Sequence, residues 1–363
     1  MRVVHEEMEM MVFEAWQARM LSVGTAHPPK KYSQQDLLDL FQVTNKRIIA
    51  LFRNTHIKSR YLYLPPCNNE GQVADETNVE LLAKHKQGAL ELGIEAIERA
   101  LAPLGLSPNE IDYLVCVTST GTLCPGLSAL YIKHLGFREN TRRLDVVGMG
   151  CNAGLNALQN VADFCFAHPG RLALLVCAEI CSGAYVFDMT MRTAVVNSLF
   201  GDGVAALVVG AGPSLAQYAG PAILDFESHI IPEAIQAMRF ELEGPKFSFF
   251  MDRDIPYVLG NHVEKPVNRL LARAGLKRRD IQQWIIHSGG RKVIDAMKYN
   301  LGITNYDVRH TLRVLQDFGN LSSGSFLFSY QLLLEEGLIK SGEYGVMMTM
   351  GPGSTIETCL IRF

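Results

Sequence analysis

The sequence holds a long internal echo, and that duplication restricts the fold more than any other feature. "SPNEIDYLVCVTSTG" starts at Ser107 and "KRRDIQQWIIHSGG" at Lys277. Each sets a polar turn and an acidic residue ahead of an isoleucine (Ile111, Ile281), then an apolar run, then Ser or Thr with Gly. Both continue into a helical pattern ending in Leu-Gly, at Leu135-Gly136 and at Leu301-Gly302. Next, "VVGMGCNAGLNAL" answers "QDFGNLSSGSFLF", so Gly150-Cys151 stands against Gly319-Asn320. "SLFGDGVAALVVG" and "MTMGPGSTIETCLI" close the two copies, each with a G-x-G turn beside an apolar strand.

Each copy reads strand, helix, small-residue loop, long apolar helix, strand, turn, strand. Runs such as "LALLVC" and "AALVVG" are apolar on both faces, which suits strands covered by helices on each side. Two such copies predict an α/β fold, a layered α/β/α/β/α sandwich with a pseudo-twofold internal duplication and halves at 1–212 and 213–363. The stretch from Pro213 to Asn261 has no counterpart in the repeat, and its "GPKFSFFMDRDIP" is aromatic enough to line a pocket. Residues 1 to about 106 read as mostly helical, with a good N-cap at Ser33 before "QQDLLDLFQ". No linker or low-complexity tract separates the halves, so they form one structural unit.

Composition fits this picture. Charged residues are 20% of the chain and hydrophobic ones 48%, against roughly 25% charged in an average soluble chain, which implies a large buried core. Lys plus Arg is 34 and Asp plus Glu is 37, a net charge of −3, so no basic field exists for nucleic acid. The most apolar stretch, Leu172 to Phe187, is broken by Glu179 and too short to cross a bilayer. The start, "MRVVHEEMEMM", is acidic and unlike a signal peptide. Eight cysteines occur without a C-x-x-C pair, and no histidine pair has metal spacing, so no metal site is expected. These readings predict a soluble cytoplasmic protein with reduced thiols.

Cys151 is the cysteine that stands out. It lies in "GMGCNAG" just before an apolar helix, where unpaired amides and the macrodipole favour a thiolate. A neighbouring histidine would extend that effect as an imidazolium–thiolate pair. His287 is the candidate, because it ends an apolar strand where a solvated ring is out of place. Asn320, in "GNLSSGS", offers an N–H donor that cannot titrate. Together they make a nucleophile, a base and an oxyanion donor. Taken singly, each has a plain structural reading: a small buried residue at a helix start, a core histidine, a turn residue. Their matching places on the duplicated frame join them. A dinucleotide loop is excluded, because the third glycine, Gly154, falls one position late.

The order Cys151, His287, Asn320 resembles the thiolase superfamily, and within it the type III polyketide synthases of the chalcone synthase kind. "WIIHSGGRKVID", "FGNLSSGSFLF", "SLFGDGVAALVVG" and "GPGSTIE" are similar to that family's histidine, asparagine, gatekeeper and cyclisation-loop motifs, over roughly residues 20 to 363. "VVGMGCNAGLNAL", "AEICSGAYVFDMTMRTAVVNSLFGDG" and "TMGPGSTIE" most resemble the bacterial 3,5-dihydroxyphenylacetyl-CoA synthases. The resemblance implies a thiolase fold, a homodimer, malonyl-CoA as substrate with or without another acyl-CoA starter, and no cofactor.

By the same resemblance, Phe200 and Phe249 are gatekeeper aromatics between a pantetheine tunnel and a growth cavity. Cys124 stands where plant-type enzymes place a methionine that reaches into the partner's cavity. Glu179, Cys181 and Ala184 fall on cavity-lining positions and differ in part from the plant pattern. Gly289 and Gly290 of the histidine motif join the substrate-binding set, as do Met350 and Pro352 of the cyclisation loop, where Met350 replaces a phenylalanine. For the CoA phosphates, Arg47 matches one family lysine, Ala50 and Asn54 replace two others, and Arg53 and Lys58 are substitutes. Three other readings stay open. A related synthase would take a longer acyl starter to alkylpyrones or alkylresorcinols, a priming ketosynthase would use carrier-protein substrates, and a catalytically dead dimer would only bind CoA.

Overall fold

The computed structural model describes residues 16–66, 73–243 and 246–363; Cys67 lies outside them. The first half runs β1 (Arg19–Ala26), β2 (Lys31–Ser33), α1 (Gln34–Leu40), α2 (Lys46–Arg53), β3 (Ser59–Tyr61) and α3 (Asn78–Leu101). It continues through β4 (Tyr113–Thr118), α4 (Leu127–Leu135), β5 (Arg142–Val147), α5 (Ala153–Ala167), β6 (Leu172–Ile180), α6 (Met191–Leu199) and β7 (Asp202–Gly210). The second half begins with β8 (Ala222–Ile230), the hairpin β9 (Met238–Glu243) and β10 (Lys246–Met251), α7 (Ile255–His262) and α8 (Glu264–Arg273). It ends with β11 (Ile281–Ile286), α9 (Arg291–Leu301), α10 (Arg309–Phe318), α11 (Ser325–Glu336), β12 (Tyr344–Gly351) and β13 (Thr355–Arg362).

Nine strands form one sheet in the order β11-β12-β13-β8-β1-β7-β6-β4-β5. It is two half-sheets meeting at a seam, where β1 and β8 share the single register pair Arg19 and Ala222. Every residue of β6 and of β7 is buried. At about 1.5–3 kcal/mol for each large apolar side chain fully buried, such strands drive the layering. α5 packs on β4, β6 and β7 of its own half and on β12 and β13 of the other. α11 packs on β11 and β12 and reaches across to β1 and β7. These two helices are the middle layer. α3 covers the outer face of the first half-sheet and α8 that of the second, completing five layers.

Two sequence expectations need correction. The segment after Pro213 does have a counterpart, because β8 holds the place in the second half that β1 holds in the first. The helical reading of the first 106 residues left out strands: among the described ones, α1, α2 and α3 are accompanied by β1 at the seam and the small β2–β3 ladder. The N-cap at Ser33 forms as expected, with its hydroxyl accepting the Asp36 N–H and the Asp36 carboxylate accepting the Ser33 N–H.

Candidate active site

Cys151 sits on the tight turn Gly150–Asn152 that leads into α5. Gly150 has φ of 76°, and a Cβ there would lie 2.3 Å from Cδ of Pro352. Only glycine passes this point beneath the loop that carries Pro352. One turn on, a Cβ at Gly154 would lie 2.2 Å from the Ser323 carbonyl oxygen, so the two central helices meet backbone to backbone. That contact brings the Asn320–Ser323 loop of one half against the thiol of the other. The Cys151 thiol donates to Ser322 Oγ at 3.6 Å and is buried.

Asn320 is fixed from several sides. Its N–H donates to the Leu199 carbonyl at 2.8 Å, and its own carbonyl accepts the Gly201 N–H at 2.9 Å. These bonds form an isolated β-bridge with Phe200. Its Oδ1 accepts the Ser322 N–H at 2.8 Å, and Nδ2 lies 3.5 Å from the Gly289 carbonyl and faces the Cys151 thiol. His287 follows β11, with its N–H donating to the Met348 carbonyl at 2.8 Å. Its ring packs beside Gly289, where a Cβ would lie 3.0 Å from Cδ2. Its Nδ1 is buried without a partner among the described residues. The three loops carrying Cys151, His287 and Asn320 therefore converge.

Burial dominates the electrostatics. It pushes the Cys151 thiol up to about 12; hydrogen bonds from Ser322 and Asn320 oppose the rise, the charge of Glu179 adds to it, and the amide at the helix start helps least. Burial alone takes His287 down to about 3. Burial thus works against charge on both the thiol and the imidazole, and so against the imidazolium–thiolate pair that the sequence suggests. Neutral imidazole still offers one nitrogen to accept the thiol proton when a substrate arrives.

Two spaces flank the Leu199–Phe200 segment. A cavity of about 480 Å³ is lined by Leu199, Gly289 and Gly290 and by four basic residues, Arg47, Arg253, Arg291 and Lys292. A chamber of about 30 Å³ is lined by Cys151, Cys181, Ala184, Phe200, Phe249 and Ser322, with Ser119 and Thr120. The Phe200 and Phe249 rings meet edge to face at 83°, with centroids 5.8 Å apart.

Glu179 stands behind the chamber wall. Its carboxyl accepts the Ser119 N–H at 3.0 Å, the Thr120 hydroxyl at 3.0 Å and the Ser323 hydroxyl at 2.5 Å. Met350 is buried in β12, and Pro352 packs on the Cys151 turn. Cys124 is exposed on the surface. Of the basic candidates only Arg47 borders the larger cavity; Arg53 donates to Gln35 instead, and Lys58 is tied by its backbone to Gln316. Sequence reasoning missed Arg253, Arg291 and Lys292, although "HSGGRK" sets two of them directly behind Gly290. It also passed over Ser322, Ser119 and Thr120, which look like loop filler until the loops converge.

Comparison with known proteins agrees with this geometry. Residues 5–213 match the N-terminal domain of chalcone and stilbene synthases and residues 223–363 the C-terminal domain. The chain is 55% identical to the 3,5-dihydroxyphenylacetyl-CoA synthase of Streptomyces toyocaensis, covering 95% of this chain and 90% of that protein. It is 52% identical to the enzyme of that name from Amycolatopsis orientalis, covering 95% and 93%. Its fold superposes on the crystal structure of the C-terminal type III polyketide synthase domain of Steely1 from Dictyostelium with a TM-score of 0.88, at 27% identity, covering 95% and 99%. The chain belongs to the chalcone and stilbene synthase family, the type III polyketide synthases.

Proposed function

We propose that the protein condenses malonyl-CoA units on Cys151 and closes the product to 3,5-dihydroxyphenylacetyl-CoA. The observation that carries this reading is the junction at Cys151. There a cavity bordered by basic side chains and a small aromatic-walled chamber flank one segment, and the thiol lies on the chamber side. Relatives 52–55% identical over 95% of the chain bear that activity in their names.

The larger cavity suits the pantetheine arm, and Arg47, Arg253, Arg291 and Lys292 suit the phosphates of CoA. The Cys151 thiol attacks an acyl thioester while His287 takes its proton and returns it to the leaving CoA sulfur. The next malonyl thioester loses carbon dioxide, and its electron pair moves onto the thioester oxygen as an enolate. His287 and Nδ2 of Asn320 donate hydrogen bonds to that oxygen. The apolar surroundings favour departure of the charged carboxylate. The carbanion then attacks the acyl-enzyme carbonyl, and the C–S bond breaks to release Cys151 as a thiolate, ready for the next acyl transfer. Repetition yields a tetraketide, and internal condensation with loss of water gives the ring.

A homodimer fits the outer edge of β5, which ends the sheet and exposes Leu144 and Val147. A second copy on that edge would cover it and bring the exposed Cys124 towards its neighbour. The cytoplasm suits a reaction that depends on a reduced thiol, and no helix among the described residues is long and apolar enough to cross a membrane.

The test is incubation with malonyl-CoA alone, followed by mass spectrometry. The expected species is 3,5-dihydroxyphenylacetyl-CoA or its free acid. Pyrones alone, or turnover only with a longer acyl starter, would overturn the product. Undiminished condensation by Cys151→Ala would overturn the nucleophile.

A further inference from the structure

Arg60, the middle residue of β3, is fully buried. Its guanidinium grips neutral oxygens rather than a carboxylate. Nη1 donates to the Tyr185 hydroxyl at 2.7 Å and to the Phe200 carbonyl at 2.6 Å, and Nη2 donates to Gln34 Oε1 at 2.8 Å. The Tyr185 hydroxyl donates to the same Phe200 carbonyl. Asp202, whose charge acts on Arg60, is committed elsewhere: to the Ser182 N–H at 2.8 Å, the Ser182 hydroxyl at 2.6 Å and the Tyr63 N–H at 2.7 Å. Burying a cation with no carboxylate bound to it is costly, so packing alone does not account for an arginine at this place.

We propose that Arg60 is a positioning residue for decarboxylation, fixing the bridge between Phe200 and Asn320 and with it the aim of Asn320 Nδ2. The inference rests on the function proposed above. Arg60 touches both sides of the bridge. On one side its stem lies flush against Gly319, where a Cβ would come within 2.8 Å of Cδ and 3.0 Å of Cγ. On the other its head holds the Phe200 carbonyl. The chain beside it is anchored to the end of α10, since the Lys58 N–H donates to the Gln316 carbonyl at 2.8 Å and the Ser59 hydroxyl to the Asp317 carbonyl at 3.4 Å. β3, the end of α10, Asn320, Phe200 and the Arg60 side chain thus form a closed loop of contacts.

The charge acts along the bridge itself. The Phe200 carbonyl and the Gly201 N–H are two ends of one peptide, and that N–H donates to the Asn320 carbonyl at 2.9 Å. A cation on the carbonyl polarises the peptide and strengthens the bond made by its other end. Gln34 keeps the fork oriented: its Nε2 donates to the Ser198 carbonyl at 2.8 Å and to Thr55 Oγ1 at 2.9 Å, leaving Oε1 for Arg60. Asn320 Nδ2 faces the Cys151 thiol at the far end of these contacts. An enolate oxygen needs its donors at about 2.7–3.1 Å, and a misplacement of about 1 Å costs about 10²-fold in rate.

The test is Arg60→Lys, which keeps a positive charge and a stem but loses the fork. Carbon dioxide release from malonyl-CoA should fall about 10²-fold in kcat, with KM and acyl loading of Cys151 changed only a few-fold. In an Asn320→Ala background the same substitution should cost almost nothing further, because the donor it positions is gone. Wild-type release from Arg60→Lys, loading that falls in step with release, or an equal loss in both backgrounds would overturn the assignment. Tyr185→Phe is the milder second variant: it takes one hydroxyl from the Phe200 carbonyl and from Nη1, and should lower release about 10-fold with loading intact. Amide hydrogen exchange, read by NMR of the full chain, gives a measure apart from activity. In either variant the Asn320 and Gly201 amides should exchange about 10-fold faster, the scale of one lost hydrogen bond to a charged group, while those of β6 and β7 stay protected. Unchanged exchange at both amides would overturn the positioning role. A wild type that releases no carbon dioxide from malonyl-CoA would instead refute the proposed function, and the exchange rates would still judge Arg60.

Discussion

Replacing Asn320 separates the two jobs given to the site. Its Oδ1 is committed to the Ser322 N–H at 2.8 Å, while Nδ2 lies 3.5 Å from the Gly289 carbonyl and faces the Cys151 thiol. The side chain is thus locked by one end with its donor turned towards the thiol. Asn320→Ala removes that donor, and loss of one oxyanion donor typically costs about 2.7–4 kcal/mol of barrier, or about 10²–10³ in rate. It also strands the buried Ser322 N–H, at about 1–3 kcal/mol of stability. Asn320→Asp keeps the acceptor and should recover much of the stability without the rate. The assay follows carbon dioxide release from malonyl-CoA, with acyl loading of Cys151 read separately by intact-protein mass. Release should collapse while loading changes only a few-fold. Wild-type carbon dioxide release from folded Asn320→Ala, or loading that falls in step with release, would refute the oxyanion assignment.

Because burial holds the Cys151 thiol up at about 12 and the His287 ring down at about 3, alkylation of the resting enzyme by iodoacetamide should keep accelerating above pH 8. A rate already level from pH 6 upwards would show a standing ion pair. His85, lowered by burial from 6.5 to about 4, binds a proton more readily unfolded than folded, so its contribution to stability is complete above pH 6.5 and fades below it. By linkage the wild type should lose about 2 kcal/mol more than His85→Asn between pH 7 and pH 5, measured by urea unfolding; parallel curves would contradict this. Gly154→Ala puts a Cβ against the Ser323 carbonyl and should destabilise by about 1–3 kcal/mol, lowering the urea midpoint; an unchanged midpoint would show that the central helices tolerate separation. Arg47→Ala with Arg253→Ala should raise KM for malonyl-CoA and leave kcat nearly unchanged, the mark of lost ground-state binding.

The convergence of the proposed site residues was legible because they stand at strand ends and helix starts that the duplication repeats. Cys151 and Asn320 occupy matching loops, and His287 ends an apolar strand, so composition around each betrays its place. The seam was not legible. β1 ("RMLSVGTA") and β8 ("AILDFESHI") share no pattern, because β8 carries Asp225 and Glu227, which pair with Arg273 and Arg269. His85 hid for a similar reason: in "AKHKQ" it reads as part of a solvated face. It is buried only because Gly121 and Gly183 let the chain crowd against α3. Arg53 and Lys58 misled in the opposite direction. Their charges sit near the expected cluster in sequence, but Arg53 donates to Gln35 and neither residue lines the larger cavity.

The bridge between Phe200 and Asn320 bears on redesign. The Phe200 carbonyl accepts Arg60 Nη1 at 2.6 Å and the Tyr185 hydroxyl, while the adjoining Leu199 carbonyl and Gly201 N–H clasp the Asn320 backbone. A space of about 30 Å³ cannot hold a growing acyl chain, so side chains must yield as the product lengthens. The main chain at Phe200 is not available to yield, since shifting it would drag Asn320, the proposed oxyanion donor, out of place. Engineers who want longer or bulkier products should therefore trim the rings of Phe200 and Phe249 and leave that backbone untouched. A loop transplanted there from another synthase would change product size and decarboxylation together.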